Sequence, residues 1–353
     1  MARVVASLPP QLASDQTVAD IVAKAYSGWL VAGLEQELAS RELDAAAYYR
    51  AARTLKPGES NAQRALDRLS LPSLMAMRDA FNGRDFGGAI EHGGMATRID
   101  PDLFEAWQML GRAQFTRGSA VEAGIAFRRC TELNSKDAPS WLTLGLVLNQ
   151  AGDRQAALAA FQKARGLADS EVKREADASI AALHPLLVRD AQQAASEGNV
   201  DLAWAFSESA LTIRSGDSEV VQLRHDLLRQ QREQIRQAWN SGSDSATDLC
   251  RRYLQKSPND IYASTVLGRT LMRMRAYAEA LPIWENLSRL APEDSHNHLQ
   301  VARCCRALKI KERGVSAAEA AIRLDPSLHE AAEAADFLKA LPSSKSNLGL
   351  PRR

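Results

Sequence analysis

The chain has 353 residues, of which 45% are hydrophobic and 25% are charged, as in an ordinary folded protein. Its formal net charge of +1 argues against a general attraction to nucleic acid or to a membrane surface. The sequence has no stretch of apolar residues long enough to span a bilayer, and its first residues lack the apolar core of a secretory signal. Four cysteines are too few for a disulfide framework, and we therefore expect a cytoplasmic protein.

A motif of Trp-x2-Leu-Gly, followed by an alanine and then an aromatic residue, occurs twice at an interval of 34 residues. Its members are Trp107, Leu110, Gly111, Ala123 and Phe127, and then Trp141, Leu144, Gly145, Ala157 and Phe161. The same interval separates Pro258, Pro292 and Pro326. A fixed period of this length predicts stacked helix–turn–helix units, because one such unit cannot bury its own apolar face.

This pattern resembles the signature of the tetratricopeptide repeat family, and the resemblance covers most of the chain. It implies an all-α, right-handed superhelical solenoid of helix–turn–helix repeats. Aligned on the signature, eight units follow in chain order: 26–59, 70–103, 104–137, 138–171, 184–217, 227–260, 261–294 and 295–328. The units at 184–217 and 227–260 keep the fewest signature residues, and the second of them has Cys250 at the aromatic position.

The 34-residue spacing is interrupted by extra residues at 60–69, 172–183 and 218–226. Leucine or isoleucine recurs there every three or four residues, which predicts lengthened or additional helices. Residues 172–183 would be a hinge between units one to four (26–171) and units five to eight (184–328), or an insertion without a role. The sequence predicts a capping helix at 329–341, a partly disordered segment at 1–25 and a disordered tail at 342–353.

The family resemblance further implies that positions 2, 5, 9, 12 and 13 of each unit line a concave groove. The candidate lining residues are Arg78, Phe81, Asn82, Arg112, Phe115, Asn149, Arg269, Arg273, Arg303 and Arg306. Four of the arginines share position 9, although arginine on a helix is often only a solvated residue. Guanidinium forks pair with carboxylates, so the groove would suit a protein or peptide with acidic and apolar residues.

The sequence contains no catalytic or phosphate-binding motif. His296 and His298 precede Cys304 and Cys305, but we interpret these cysteines as small buried residues rather than as zinc ligands. No cofactor, metal or nucleic acid is expected. We predict a non-catalytic interaction scaffold, or alternatively a regulatory or assembly subunit of a bacterial enzyme complex such as glycosyltransferase or polysaccharide biosynthesis machinery; self-association is possible with either role.

Overall fold

The computed structural model describes residues 16–168, 170–243 and 245–342. Over these residues the chain forms 17 α-helices and no strand, which confirms the predicted all-α helical repeat fold. The chain divides into two compact units, which we call the amino-terminal unit (up to Asp217) and the carboxy-terminal unit (from Ser218). In the described part of the chain, no helix is both long enough and apolar enough to cross a membrane.

The amino-terminal unit contains five helix pairs in which each helix packs against its neighbours in the chain. The pairs are α1 (Gln16–Leu38) with α2 (Glu42–Leu55), α3 (Ser60–Asn82) with α4 (Phe86–Ile99), α5 (Phe104–Thr116) with α6 (Ala120–Leu133), α7 (Ala138–Gln150) with α8 (Arg154–Leu167), and α9 (Ser170–Ser196) with α10 (Val200–Ile213). Asp85, Asp153 and Asn199 cap second helices by accepting a hydrogen bond from a backbone N–H of the first turn.

The carboxy-terminal unit contains three helix pairs and one further helix. These are α11 (Ser218–Asn240) with α12 (Ser245–Lys256), α13 (Ile261–Arg273) with α14 (Tyr277–Leu290), α15 (Ser295–Leu308) with α16 (Lys311–Leu324), and α17 (His329–Ala340). Asp260 and Asp294 cap the first helices α13 and α15 in the same manner. The helix α17 packs on both α15 and α16 at the end of this unit.

The three sets of extra residues lie within the first helices of their pairs. Residues 60–69 belong to α3, residues 172–183 to α9 and residues 218–226 to α11, and these helices contain 23, 27 and 23 residues. The compact units divide between Asp217 and Ser218, whereas 172–183 lies inside the continuous helix α9. The tail from residue 343 onward and residues 1–15 are outside the described residues.

Contacts between a glycine and an aromatic side chain hold the two helices of a pair together. A Cβ atom placed on Gly111 would lie 2.8 Å from the Phe127 ring, and one on Gly268 would lie 2.7 Å from the Trp284 ring. Both aromatic side chains are fully buried. Glycine is therefore needed at this position because any side chain would push the aromatic ring out of the core.

A second contact joins three of the first helices, α5, α7 and α15, to the turn before them. Nε1 of Trp107 donates to the Pro101 carbonyl at 2.8 Å, and Nε1 of Trp141 donates to the Ser135 carbonyl at 3.0 Å. His298 occupies the equivalent position, and its Nε2 lies 2.9 Å from the carbonyl oxygen of Pro292. Each of these rings is thus used to fix the connection between successive pairs.

One helix pair departs from the common register. Four residues separate the end of α11 from the start of α12, one more than the three residues between α13 and α14. Ile235 lies as far from the last residue of α11 as Gly268 lies from the last residue of α13. Ile235 is therefore the equivalent of Gly268, and it is fully buried. Arg236 then takes the place of Arg269, a position that the sequence alignment gives to Ile235.

Candidate functional site

The first helices of the carboxy-terminal unit carry a concentration of arginines on one face. We call this face the arginine surface, and its members are Arg232, Arg236, Arg269, Arg273, Arg303 and Arg306. Four of them are predicted lining residues, whereas Arg232 and Arg236 are not. All are exposed except Arg303, which is partly buried.

Aromatic rings support three of these arginines. The Arg232 guanidinium lies 5.1 Å from the centre of the Tyr262 ring, and the Arg273 guanidinium lies 5.8 Å from that of Trp239. The Arg306 guanidinium lies 5.2 Å from the Phe337 ring. An arginine stacked on a ring keeps the N–H groups at the edge of its guanidinium plane, where a carboxylate can accept them. These side chains are therefore more ordered than freely solvated arginines.

The arginines at repeat position 9 differ in their ion-pair partners. Nε of Arg303 donates to Oε1 of Glu330 at 2.5 Å, and Nε of Arg78 in the amino-terminal unit donates to Oε1 of Glu105 at 2.8 Å. In both pairs the carboxylate follows its arginine by 27 residues and lies on the next first helix or on α17. The residue 27 positions after Arg269 is His296, which is not a carboxylate. Arg269 consequently makes no ion pair with any carboxylate in the described residues.

His296 lies in the middle of this charged surface. Its pKa is lowered, first by burial and then by the positive charge of Arg269. Its Nε2 lies 3.1 Å from Nε2 of Gln300, and its ring contacts Trp284 edge-on with centroids 6.1 Å apart. A histidine in this place cannot neutralise Arg269 as Glu105 and Glu330 neutralise Arg78 and Arg303.

Two cavities open on the arginine surface. The larger one, of about 520 Å³, is lined by Met272, Arg273, Tyr277, Arg303, Arg306, Ala307 and Glu330. The smaller one, of about 310 Å³, is lined by Arg229, Arg232, Glu233, Arg236 and Tyr262. Glu233 and Glu330 are the carboxylates in these linings, and each pairs with an arginine beside it. Both cavities thus keep an excess of positive charge next to apolar or aromatic side chains.

The predicted lining residues of the amino-terminal unit have other partners. The Phe81 ring lies edge-on to Phe86 with centroids 5.5 Å apart, and the Arg112 guanidinium lies 5.3 Å from the Phe81 ring. Phe115 is partly buried and Asn82 is exposed. Oδ1 of Asn149 is buried and lacks a hydrogen-bond partner in the structure as described. The structure thus brings Phe81 and Arg112 together, whereas Arg78 is neutralised by Glu105.

Sequence reasoning missed the α11 part of the surface, which consists of Arg232, Arg236 and the ring of Trp239. The extra residue after α11 shifts this helix by one position, so an alignment on the signature residues of α12 and the following turn misplaces it. A signal was present, because Arg229, Arg232 and Arg236 recur every three or four residues along one face.

The histidines and cysteines near residue 300 do not form a metal site. Sγ of Cys304 lies 3.2 Å from Sδ of Met272, and the two histidines contact Pro292 and Gln300 as described above. No group of three potential ligands is found in the described residues. Burial raises the pKa of Cys304 to about 12 and that of Cys305 to about 11, so both thiols stay protonated and pack as small side chains.

These features define an all-α helical repeat protein whose first helices present side chains on one face. Residues 138–169, which contain the whole of α7 and α8, match the family model of the tetratricopeptide repeat. The glycine–aromatic contact of this stretch recurs in other helix pairs of the chain.

The chain is similar to solved structures of tetratricopeptide repeat proteins. The tetratricopeptide repeat domain of P58(IPK) is 16% identical over 81% of this chain and 80% of that chain, with a TM-score of 0.34. The TPR2AB domain of yeast Sti1 in complex with pHSP90 is 12% identical over 77% and 96%, with a TM-score of 0.30. A tetratricopeptide repeat protein from Parabacteroides merdae is 11% identical over 90% and 99%, with a TM-score of 0.24. Scores this low carry no argument about partners. No curated protein matches the sequence significantly.

Proposed function

We propose that the chain is a non-catalytic protein-interaction module whose arginine surface binds an acidic segment of a partner protein. The observation that carries this proposal is Arg269, an exposed arginine that has His296 at the offset where Arg78 and Arg303 have a glutamate. Arg273 and Arg306, which belong to the same surface, lie against aromatic rings. Exposed arginines that form only a solvated face would more often pair with carboxylates of their own helix.

The cavities also suggest where the apolar part of such a segment would lie. Met272, Tyr277 and Ala307 line the larger cavity together with its arginines. A partner residue with an apolar side chain would enter there, while neighbouring carboxylates would accept bidentate hydrogen bonds from Arg269 and Arg273. The proposed ligand therefore alternates acidic and apolar residues.

Binding of a fluorescent synthetic peptide of glutamate and leucine tests this proposal, with a lysine and leucine peptide of equal length as the control. We expect Arg269→Glu to weaken binding at least about tenfold, because a charged hydrogen bond contributes roughly 1.5–3 kcal/mol and the new charge repels the peptide. Arg112→Glu makes the same change at the same repeat position of the amino-terminal unit. It should leave the affinity within about twofold.

The proposal is wrong if both variants bind like the wild type, or if the lysine peptide binds as tightly as the glutamate peptide. Capture from native lysate with the wild type and with the double variant Arg269→Glu, Arg303→Glu then identifies the partner. Recovery of a membrane enzyme or a polymerase with the wild type alone would favour the role of regulatory or assembly subunit over that of a general adaptor.

A further inference from the structure

A second apolar site lies on the amino-terminal unit, between the second helices α6 and α8. We call it the alanine groove, and it has a volume of about 460 Å³. Trp141, Leu144 and Leu148 form its floor, and Ala156, Ala159 and Ala160 form the wall contributed by α8. Along α6, Val121 and Ile125 are 68% and 58% exposed and extend the apolar surface beyond the groove. Small side chains on one wall allow another helix to approach closely.

At the equivalent position of the carboxy-terminal unit, an ion pair connects the two second helices. There the groove between α14 and α16 is spanned by an ion pair in which Nε of Arg313 donates to Oε1 of Glu285 at 3.0 Å. One repeat earlier, Arg251 and Glu279 form the reverse pair at 2.5 Å. Second helices of this unit are thus bridged twice across their outer surface.

The alanine groove lacks such a bridge. By repeat position, Arg128 stands in place of Glu285 and Ala156 in place of Arg313. Glu132 in the groove already pairs with Arg129 at 2.9 Å. Within the described residues, neither Arg128 nor Lys163 has a carboxylate partner, so the groove combines an apolar floor with two uncompensated cations.

The helix α1 of the same unit has complementary properties. Val31, Leu34 and Leu38 are 57%, 48% and 79% exposed and follow one another at intervals of three and four residues, on one face. Glu35 lies beside them and forms no ion pair in the described part of the chain. This face of α1 is therefore both apolar and exposed in the described part of the chain.

We propose that α1 of one copy binds in the alanine groove of a second copy. Val31, Leu34 and Leu38 would pack on the floor and on the alanines, and Glu35 would pair with Arg128 or Lys163. Because the two surfaces are different and lie at different places on the unit, each copy keeps one surface available after binding. Association of this kind continues from copy to copy rather than closing as a dimer. The arginine surface takes no part in it.

Sedimentation velocity of the full chain over a range of concentrations tests the proposal with two matched variants. The helix variant carries Leu34→Lys and Leu38→Lys, which replace exposed side chains with charges that Arg128 and Lys163 repel. The groove variant carries Arg128→Glu and Ala156→Arg, which copy the bridge between Glu285 and Arg313. Circular dichroism shows whether each variant keeps the helix content of the wild type.

We expect the wild type to form species larger than dimers as its concentration rises, and each variant alone to stay monomeric. An equimolar mixture of the variants should form a dimer and nothing larger, because the mixture offers one intact groove and one intact helix. Arg269→Glu should associate like the wild type. The proposal fails if the wild type stays monomeric, if the mixture stays monomeric, or if the groove variant associates like the wild type.

Discussion

The two units differ in how much positive charge their first helices present at the same repeat positions. In the amino-terminal unit, Arg78 is neutralised by Glu105, and Leu71, Met75 and Leu146 are exposed. In the carboxy-terminal unit the corresponding surface is dominated by arginines. The glycine–aromatic contacts that hold the pairs together are nevertheless alike in both. The comparison teaches that the fold depends on the contacts inside each pair, whereas the lining positions vary without cost to it.

The largest effect should come from breaking those shared contacts in one unit at a time. Trp284→Ala empties a fully buried site in the carboxy-terminal unit, and Phe127→Ala does so in the amino-terminal unit. Each should lower the free energy of unfolding of its own unit by about 3–5 kcal/mol. Hydrogen exchange measured by mass spectrometry would locate the loss of protection.

The control for this experiment is Trp284→Phe. Phenylalanine already occupies the equivalent repeat position twice in the amino-terminal unit, as Phe127 and Phe161. Nε1 of Trp284 is buried without a hydrogen-bond partner in the structure as described, so its removal relieves an unsatisfied donor and should offset much of the lost packing. If either alanine variant loosens both units equally, their description as separate compact units is wrong.

A smaller effect should follow from removing the carboxylate that neutralises the arginine surface. Glu330→Gln releases Arg303, which could then pair with a ligand. We expect the glutamate and leucine peptide to bind about two- to fivefold tighter, or roughly 0.4–1 kcal/mol for a partly exposed pair. Glu105→Gln is the matched change beside Arg78 and should leave this affinity unaltered. Titration calorimetry measures both, and an unchanged affinity for Glu330→Gln would show that Arg303 does not contact the peptide.

The smallest predicted effect is a dependence of binding on pH. Arg269, Asp294, Arg303 and Glu330 all act on His296, whose pKa is lowered chiefly by burial and then by Arg269. A bound carboxylate would raise this pKa, so binding takes up a proton and the affinity rises as the pH falls. We expect a change of about two- to threefold below neutral pH. The variant His296→Gln should abolish it, and an identical pH profile in that variant would contradict the assignment.

The helical repeat fold was predictable from sequence because the signature residues are themselves the contact residues. Gly111 and Phe127 recur at fixed positions since each aromatic ring occupies space that a side chain on the glycine would fill. Gly93 in α4 lies against Met77 for the same reason: a Cβ there would be 2.6 Å from its Cε atom. Gly94 has no such neighbour, and nothing in the structure explains it.

The charge balance of the surface could not be predicted in the same way. Whether Arg269 or Arg303 is neutralised depends on the residue 27 positions later. That residue lies on the next first helix or on α17, beyond a turn and a whole second helix. No periodicity within a helix indicates that offset. The contribution of Arg236 was hidden for a different reason, because one additional residue between α11 and α12 displaces α11 relative to the repeat signature.

The contact between Arg303 and Glu330 has a consequence for selectivity. Glu330 occupies the guanidinium edge of Arg303 that an acidic ligand would use, so a ligand must displace it to gain that interaction. A segment with a single carboxylate gains only Arg269 and leaves the internal pair in place. A segment with several carboxylates could displace Glu330 from Arg303, since its other carboxylates would already pair with Arg273 and Arg306. In the proposed complex, Glu330 would therefore favour densely charged ligands over singly charged ones.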